Sequence, residues 1–428
     1  MKRYRNRVID SLLARKLRSM GAVLMLGPKW CGKTTTCEQL AKSILYVGDP
    51  DTLQSNRQLA DIDIKTLLRG EKPRLIDEWQ VIPKFWDAVR FNVDHADDVG
   101  QFMLTGSAVP PDSEKIVHSG TGRIARIVMR PMTLWESGES EGGISLKNLF
   151  DKNIPDVSAS KKLSLQDIAY MICRGGWPQS IVHGVDRDDA IGLAKDYLDA
   201  VVETDVSRVD GVSREPSRIL RLLRSYSRLQ GTQSNLSVIR ADMMANDKRT
   251  LSDETVASYL EALRKIFVVE DMPAWCPNLR SKAQVRVSDT RYFVDPSIAA
   301  ASMGIGPGDL LRDLPTAGML FETMAIRDLR VYADALDGRV CHYHDSNGLE
   351  CDAVIHLRNG LFGLIEIKLG GDTLIEEGVK VLNRLEKNID TKRMGMPAFK
   401  MVLTAVGDFA YRRKDDGIIV CPLGCLAP

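Results

Sequence analysis

The octapeptide Gly27-Pro28-Lys29-Trp30-Cys31-Gly32-Lys33-Thr34 constrains the fold more than any other part of the chain. It fits the pattern G-x-x-x-x-G-K-[ST] and lies between a continuous apolar run, residues 22–26, and a stretch that reads as helix over residues 35–45. An apolar run entering a glycine-framed turn predicts a buried parallel strand that hands the chain to a helix N-terminus. Glycines let backbone N–H groups close around phosphate oxygens, and the helix N-terminus favours the anion. Gly27, Pro28, Lys29, Trp30, Cys31, Gly32, Lys33, Thr34 and Thr35 are therefore the candidate ATP-binding residues. Lys33 is expected to reach the β- and γ-phosphates, and the Thr34 hydroxyl to ligate Mg²⁺.

A second motif supports the first. Arg74-Leu75-Ile76-Asp77-Glu78 is a short apolar strand ending in two acids. Asp77 at its carboxyl end is placed to hold the Mg²⁺ shell, and Glu78 to orient or deprotonate an attacking water. A third apolar strand, Phe102-Met103-Leu104, runs into Thr105-Gly106-Ser107, which sets Thr105 beside the γ-phosphate. Arg123 and Arg126 follow a Ser-Gly-Thr-Gly stretch. Supplied across a subunit boundary, either would neutralise charge on the transferred phosphoryl group, although surface arginines near a strand look the same in sequence.

These residues, with Leu104-Thr105-Gly106-Ser107-Ala108, Gly122-Arg123-Ile124-Ala125-Arg126 and Met129-Arg130-Pro131-Met132, resemble a family of bacterial and archaeal ATPases of the AAA type. Gly175-Gly176-Trp177-Pro178, Tyr292-Phe293-Val294-Asp295-Pro296 and Glu366-Ile367-Lys368 extend the resemblance over nearly the whole chain. It implies an N-terminal AAA domain joined to a C-terminal domain of unknown function. It also implies ATP binding and hydrolysis, often with assembly into homo-oligomers.

The net charge of +1 leaves nucleic-acid affinity to local basic surfaces. No apolar run approaches the ~20 residues of a membrane span, and the basic N-terminus lacks an export h-region, so a cytoplasmic protein is expected. Residues 1–20 read as a basic amphipathic helix with Val8, Leu12, Leu13 and Leu17 on one face. Of eight cysteines only Cys421 and Cys425 lie close together, and Cys341, His342, His344 and Cys351 form a loose cluster. Neither spacing is that of a structural zinc site, and none is expected.

The expected architecture is α/β, in four parts. An AAA-type P-loop NTPase core spans residues 1–135, and a linker with a helical, lid-like region spans 136–230. Within it, residues 136–160 are rich in Gly, Ser, Glu and Asp and read as a flexible connection. A winged-helix-like domain is expected over 231–317, with two helices within 238–263, Ser252 as N-cap, and two strand-like runs at 267–271 and 285–294. Arg280, Lys282 and Arg286 fall on or near the wing, and Arg221, Arg224 and Arg228 share one helical face, so DNA is the expected partner. Against this, the recognition helix would open with Asp253 and Glu254, which repel phosphate.

Residues 318–428 resemble the restriction-endonuclease-like core, with Asp352, a spacer, then Glu366-Ile367-Lys368. A three-residue turn, Arg358-Asn359-Gly360, pairs Asp352 with Glu366, whereas a two-residue turn would send Asp352 to the other face. The first arrangement is expected. It gathers Asp352, Glu366 and Lys368, with Glu322 added from the preceding helix, as a possible second Mg²⁺ site. The alternative is plain cross-strand ion pairing, for example Glu350 with Lys368. The expected function is an ATP-driven DNA-binding machine, with a nucleotide switch acting on protein partners and an ATP-regulated nuclease as the alternatives.

Overall fold

The computed structural model describes residues 4–107, 120–153, 155–159, 161–245, 251–277 and 288–428. The first sheet has five parallel strands, β1 Ala22–Leu26, β2 Ser43–Tyr46, β3 Arg74–Asp77, β4 Phe102–Gly106 and β5 Ile124–Val128, in the order β2-β3-β4-β1-β5. Every residue of β1 and β4 is buried, as expected where helices cover both faces of a parallel sheet. Leu26 pairs with Gly106 and Ile76 with Leu104, so the carboxyl ends of β1, β3 and β4 open on one edge. In an open α/β sheet that edge is where ligands bind.

The helix expected over residues 35–45 is shorter. It spans Lys33–Glu38, and Ile44 and Leu45 belong to β2, paired with Leu75 and Ile76 of β3. Apolar pairs of this kind suit a helix face or a strand equally in sequence, and pairing with a distant strand decides the matter. The N-terminal helix, Ile9–Leu17, buries Leu12, Leu13 and Leu17 as its periodicity requires.

Residues 136–160 are not a loose connection. A capping box between Thr133 and Glu136 starts the short helix Leu134–Ser137, β6 (Ile144–Ser145) pairs with β14 (Leu426–Ala427), and β7 (Val157–Ala159) joins the C-terminal sheet. The glycines serve as turns, Gly138 at φ 84° and Gly142 at φ 70°, while Leu146, Leu149 and Phe150 are buried. The segment therefore clasps the chain's last residues to the first domain.

The middle region is helical from Leu165–Arg174 onward, through Arg187–Ala200, a π-helical turn Val201–Asp205, and Pro216–Arg228. The two helices expected near residues 238–263 are Leu236–Met244 and Asp253–Lys265, the latter capped by Ser252 as expected. Among the described residues the expected strand pair is represented by two antiparallel bridges, Val269 to Phe293 and Met272 to Thr290. Arg280, Lys282 and Arg286 lie outside the described residues.

The C-terminal region opens with the long helix Leu314–Ala335. It continues with β8 Gly338–His344, β9 Glu350–Leu357, β10 Phe362–Lys368, the helix Asp372–Asn388, β11 Phe399–Thr404, β12 Phe409–Arg412 and β13 Ile419–Pro422. The sheet order is β7-β12-β13-β11-β10-β9-β8. The β9–β10 turn takes the three-residue form, since Ala353 pairs with Ile365 and Gly360 sits at φ 88°.

Buried charges fasten the three regions together. Arg327 bonds Asp295 at 2.8 Å and Asp328 at 2.9 Å, Asp295 accepts from Gly176 N at 3.0 Å, and Asp328 accepts from Leu134 N at 2.9 Å. Gly176 is obligatory here, because a Cβ would stand 2.2 Å from the Met132 carbonyl oxygen. Arg130 of the first domain reaches Glu270 and Asp334, both at 2.6 Å. Burial would raise the Glu270 carboxyl, but Arg130 and Arg330 outweigh it and bring it down to about 2.

Candidate nucleotide site and carboxylate cluster

The glycine-framed loop leaves β1 and closes on itself for steric reasons. Gly27, at φ 145°, would carry a Cβ 2.1 Å from the Met129 carbonyl oxygen, so no side chain fits. Gly32, at φ 103°, caps the helix Lys33–Glu38 in a conformation that L side chains rarely adopt. Lys33 is buried, its ammonium donating to the carbonyls of Gly27 at 3.0 Å and Pro28 at 2.7 Å. A cation is thus held over the concavity of the loop.

Two threonine hydroxyls, one from the helix after the loop and one from β4, converge on Asp77 at the end of β3. Its Oδ1 accepts from Thr34 Oγ1 at 2.7 Å and from Thr105 Oγ1 at 2.6 Å. Thr105 in turn accepts from the backbone N–H of Glu78 at 3.1 Å. Glu78 sits at φ 55°, ψ 45°, a left-handed conformation uncommon for a non-glycine residue and frequent at functional sites. Its carboxylate lies 3.0 Å from where a Cβ on Gly48 would stand. Thr105, expected beside the phosphate, thus also ties the two acids of β3 together. Beside the start of the helix Lys33–Glu38, a cleft is lined by Tyr4, Thr35, Thr36, Pro178, Val182 and His183, among others.

The remaining loop residues touch other regions. Lys29 Nζ is 2.6 Å from Asp205 Oδ1 in the π-helical turn, and the Trp30 ring lies 6.1 Å from that of Tyr197. Arg7 donates to the Cys31 carbonyl at 2.8 Å and the Arg130 carbonyl at 2.8 Å, so the basic N-terminus braces the back of the loop. None of these contacts was expected from the sequence, since each joins residues far apart in the chain.

Arg123 pairs with Asp94 at 2.6 Å, and the Arg126 guanidinium lies 5.5 Å over the Trp86 ring. Arg123 precedes β5, whose first residue pairs with Ala22, at the end of β1 remote from the loop. Four residues of strand separate that end from Leu26, about 13 Å. Neither arginine is brought to the loop of its own chain.

In the Pro216–Arg228 helix, Ile219, Leu222, Leu223 and Tyr226 are buried and the arginines lie opposite, as their spacing requires. Arg224 donates to the Ser302 carbonyl at 3.1 Å, Arg228 pairs with Asp242, and Arg221 donates to the Ser217 carbonyl at 3.3 Å.

The carboxylate cluster is assembled as the register requires. Lys368 Nζ lies 2.8 Å from Glu366 Oε2 and 3.2 Å from Asp352 Oδ2, while Asp352 Oδ2 also accepts from Ile367 N at 2.7 Å. Glu350 instead pairs with His344 at 3.4 Å. Glu322 accepts from the Tyr292 hydroxyl and lies against Gly231. Burial, then the charge of Asp352, pushes both Glu322 and Glu366 up. Among the described residues no group of three or more His, Cys, Asp or Glu is arranged to hold a metal. The two carboxylates expected to hold a second Mg²⁺, Asp352 and Glu366, are brought together with Lys368 between them. Cys341, Cys351, Cys421 and Cys425 are buried, and His342 and His344 both bond Gln233, at 3.3 Å and 3.0 Å.

Residues 19–137 match a family model described as an AAA domain. Residues 165–309 and 317–426 match two models, each described as a domain of unknown function (DUF8612 and DUF4143). Uncharacterized proteins of Mycobacterium tuberculosis and Mycobacterium bovis are each 25% identical over 358 residues, covering 83% of this chain and 72% of theirs. The Walker-type ATPase of Pyrococcus abyssi superposes with a TM-score of 0.42 at 16% identity, covering 70% of this chain and 96% of that one, a likeness that carries no argument. The chain thus has an N-terminal AAA-type P-loop ATPase domain. No helix among the described residues is long and apolar enough to cross a membrane.

Proposed function

We propose that this chain binds ATP with Mg²⁺ at residues 27–34, hydrolyses it, and uses the cycle to bind or remodel DNA. One observation carries the first part: the Thr34 and Thr105 hydroxyls converge on one oxygen of Asp77, at 2.7 and 2.6 Å. Thr34 and Asp77 have the oxygen donors that suit Mg²⁺ and would hold it, and the ion would neutralise charge on the phosphate oxygens. Lys33 exchanges its loop carbonyls for β- and γ-phosphate oxygens, and the loop amides carry the remaining charge. Glu78, fixed through its own N–H by Thr105, orients the attacking water and takes its proton. The cleft beside Thr35, Thr36 and Pro178 receives the base. Arg123 is paired with Asp94 and Arg126 lies over Trp86 rather than on the loop, which favours a role toward a neighbouring copy and hence a homo-oligomer.

The DNA part rests on the exposed side of the Pro216–Arg228 helix, where Arg221, Arg224 and Arg228 follow one face. A second reading is favoured by the cluster of Asp352, Glu366 and Lys368 on adjacent strands, within a sheet whose strand and motif order resemble the restriction-endonuclease-like fold. In that reading ATP regulates Mg²⁺-dependent DNA cleavage. Lys33→Ala should abolish ATP turnover. Binding to duplex, single-stranded and forked DNA, measured against salt, tests the DNA part, and no binding at low salt would favour a switch acting on proteins. Cleavage lost with Lys368→Ala but kept with Lys33→Ala would favour the nuclease.

A further inference from the structure

Two consecutive residues of the phosphate loop are held by the middle region rather than by the loop itself. Lys29 Nζ is 2.6 Å from Asp205 Oδ1, whose side chain is nearly buried, and Trp30, at φ 65°, faces Tyr197. Asp205 ends the π-helical turn Val201–Asp205, a rare local structure frequent at functional sites. Lys29, Asp205 and Ser107 line one cavity, and Ser107 lies two residues beyond Thr105, the threonine bonded to Asp77. The ion pair therefore stands on the side of the loop where the terminal phosphate of a triphosphate would lie.

Resting on the nucleotide site proposed above, we propose that Asp205 is a positioning residue that lets this site distinguish ATP from ADP by competing with the terminal phosphate for Lys29. A γ-phosphate brings more than one negative charge to Lys29 and repels the Asp205 carboxylate. A diphosphate ends short of the pair and leaves it closed. Triphosphate binding thus frees the π-helical turn from the loop, and ADP lets it close again. The turn is well placed to pass that change on. Tyr197 lies 4.2 Å from Trp177, and Trp177 Nε1 donates to Ser297 Oγ at 2.9 Å. Ser297 Oγ donates to Asp295 at 2.6 Å, and Asp295 holds Arg327 on the Leu314–Ala335 helix. That helix also carries Glu322 of the carboxylate cluster.

The test compares equilibrium binding of a non-hydrolysable ATP analogue and of ADP, each with Mg²⁺, to the full chain and to Asp205→Asn. The substitution should tighten the analogue about five- to tenfold and leave ADP within about twofold. A purely structural role would shift both nucleotides together or neither, and either result would overturn the proposal. Backbone hydrogen exchange gives a second readout. In the wild type the analogue should raise exchange in residues 201–206 relative to ADP, and Lys29→Met should show the raised exchange with no nucleotide added. Protection of that turn by the analogue, or no change in a chain shown to bind it, overturns the latch. Wild-type protein that binds neither nucleotide overturns the site itself, a failure distinct from the other two.

Discussion

Replacing Thr105 with valine removes one hydroxyl at constant shape, and the structure says what depends on it. That hydroxyl donates to Asp77 Oδ1 at 2.6 Å and accepts from the Glu78 N–H at 3.1 Å. A hydrogen bond to a charged group contributes about 1.5–3 kcal/mol, and a donor left unpaired away from water costs about 1–3 kcal/mol. The second loss matters more for chemistry, because Glu78 holds a left-handed conformation that nothing else in its own turn fixes by a side-chain bond. Freed of that bond, Glu78 relaxes and its carboxylate leaves the line of attack. We expect kcat to fall about 10- to 100-fold, equivalent to about 1.4–2.7 kcal/mol on the barrier. The loop amides, Lys33 and Thr34 are untouched, so ATP affinity should stay within about threefold. Thr105→Ser, which keeps the hydroxyl, should recover most of the rate. Steady-state turnover combined with equilibrium binding of a fluorescent ATP analogue separates the two effects. A Thr105→Val protein with normal kcat, or one that loses affinity and rate together, refutes the role assigned to this threonine.

Arg327→Met leaves Asp295 and Asp328 buried without their cation and should cost about 3–5 kcal/mol in chemical denaturation, far more than a surface arginine. Glu322 and Glu366, pushed up to about 8 by burial and Asp352, hold protons in the folded chain that the unfolded chain, near 4.5, has released. The folded state thus binds more protons between those values, so stability should fall as pH rises from about 5 to 8 and then level off. Glu366→Gln should flatten that slope by up to about 1.4 kcal/mol per pH unit, and denaturation curves at pH 5.5, 7 and 8.5 would read it. Reversal of Arg221, Arg224 and Arg228 to Glu should weaken DNA binding and reduce its salt slope by about 2–3, and unchanged binding removes this helix from the DNA interface.

Most of the candidate nucleotide site's local geometry was legible in the sequence because each part is local: an apolar strand, then glycines, then a helix start. The β9–β10 hairpin was legible for a related reason, since strand alternation and one left-handed glycine, Gly360, fix which side chains share a face. What stayed hidden depends on partners distant in the chain. Ile44 and Leu45 joined β2 because β3 was there to pair with them. Residues 136–160 were polar enough to suggest a loose connection, yet Leu146, Leu149 and Phe150 found a core and β6 found the chain's last strand. Lys29 and Asp205 are 176 residues apart, and no periodicity links them. Nothing local in the sequence marks Arg7, Arg130 and Arg327 as buried, and each is buried because distant carbonyls or carboxylates offset its desolvation.

The most direct measurement is a single-turnover experiment with radiolabelled ATP and Mg²⁺ on the wild type and Glu78→Gln, followed by rapid desalting. We predict that the wild type releases labelled phosphate, whereas Glu78→Gln retains intact ATP on the protein and turns it over at least about 100-fold more slowly. Normal hydrolysis by Glu78→Gln would contradict the role given to that residue. Failure of Glu78→Gln to retain ATP, with no phosphate released by the wild type, would contradict the phosphate loop, Asp77 and Thr105 as an ATP site.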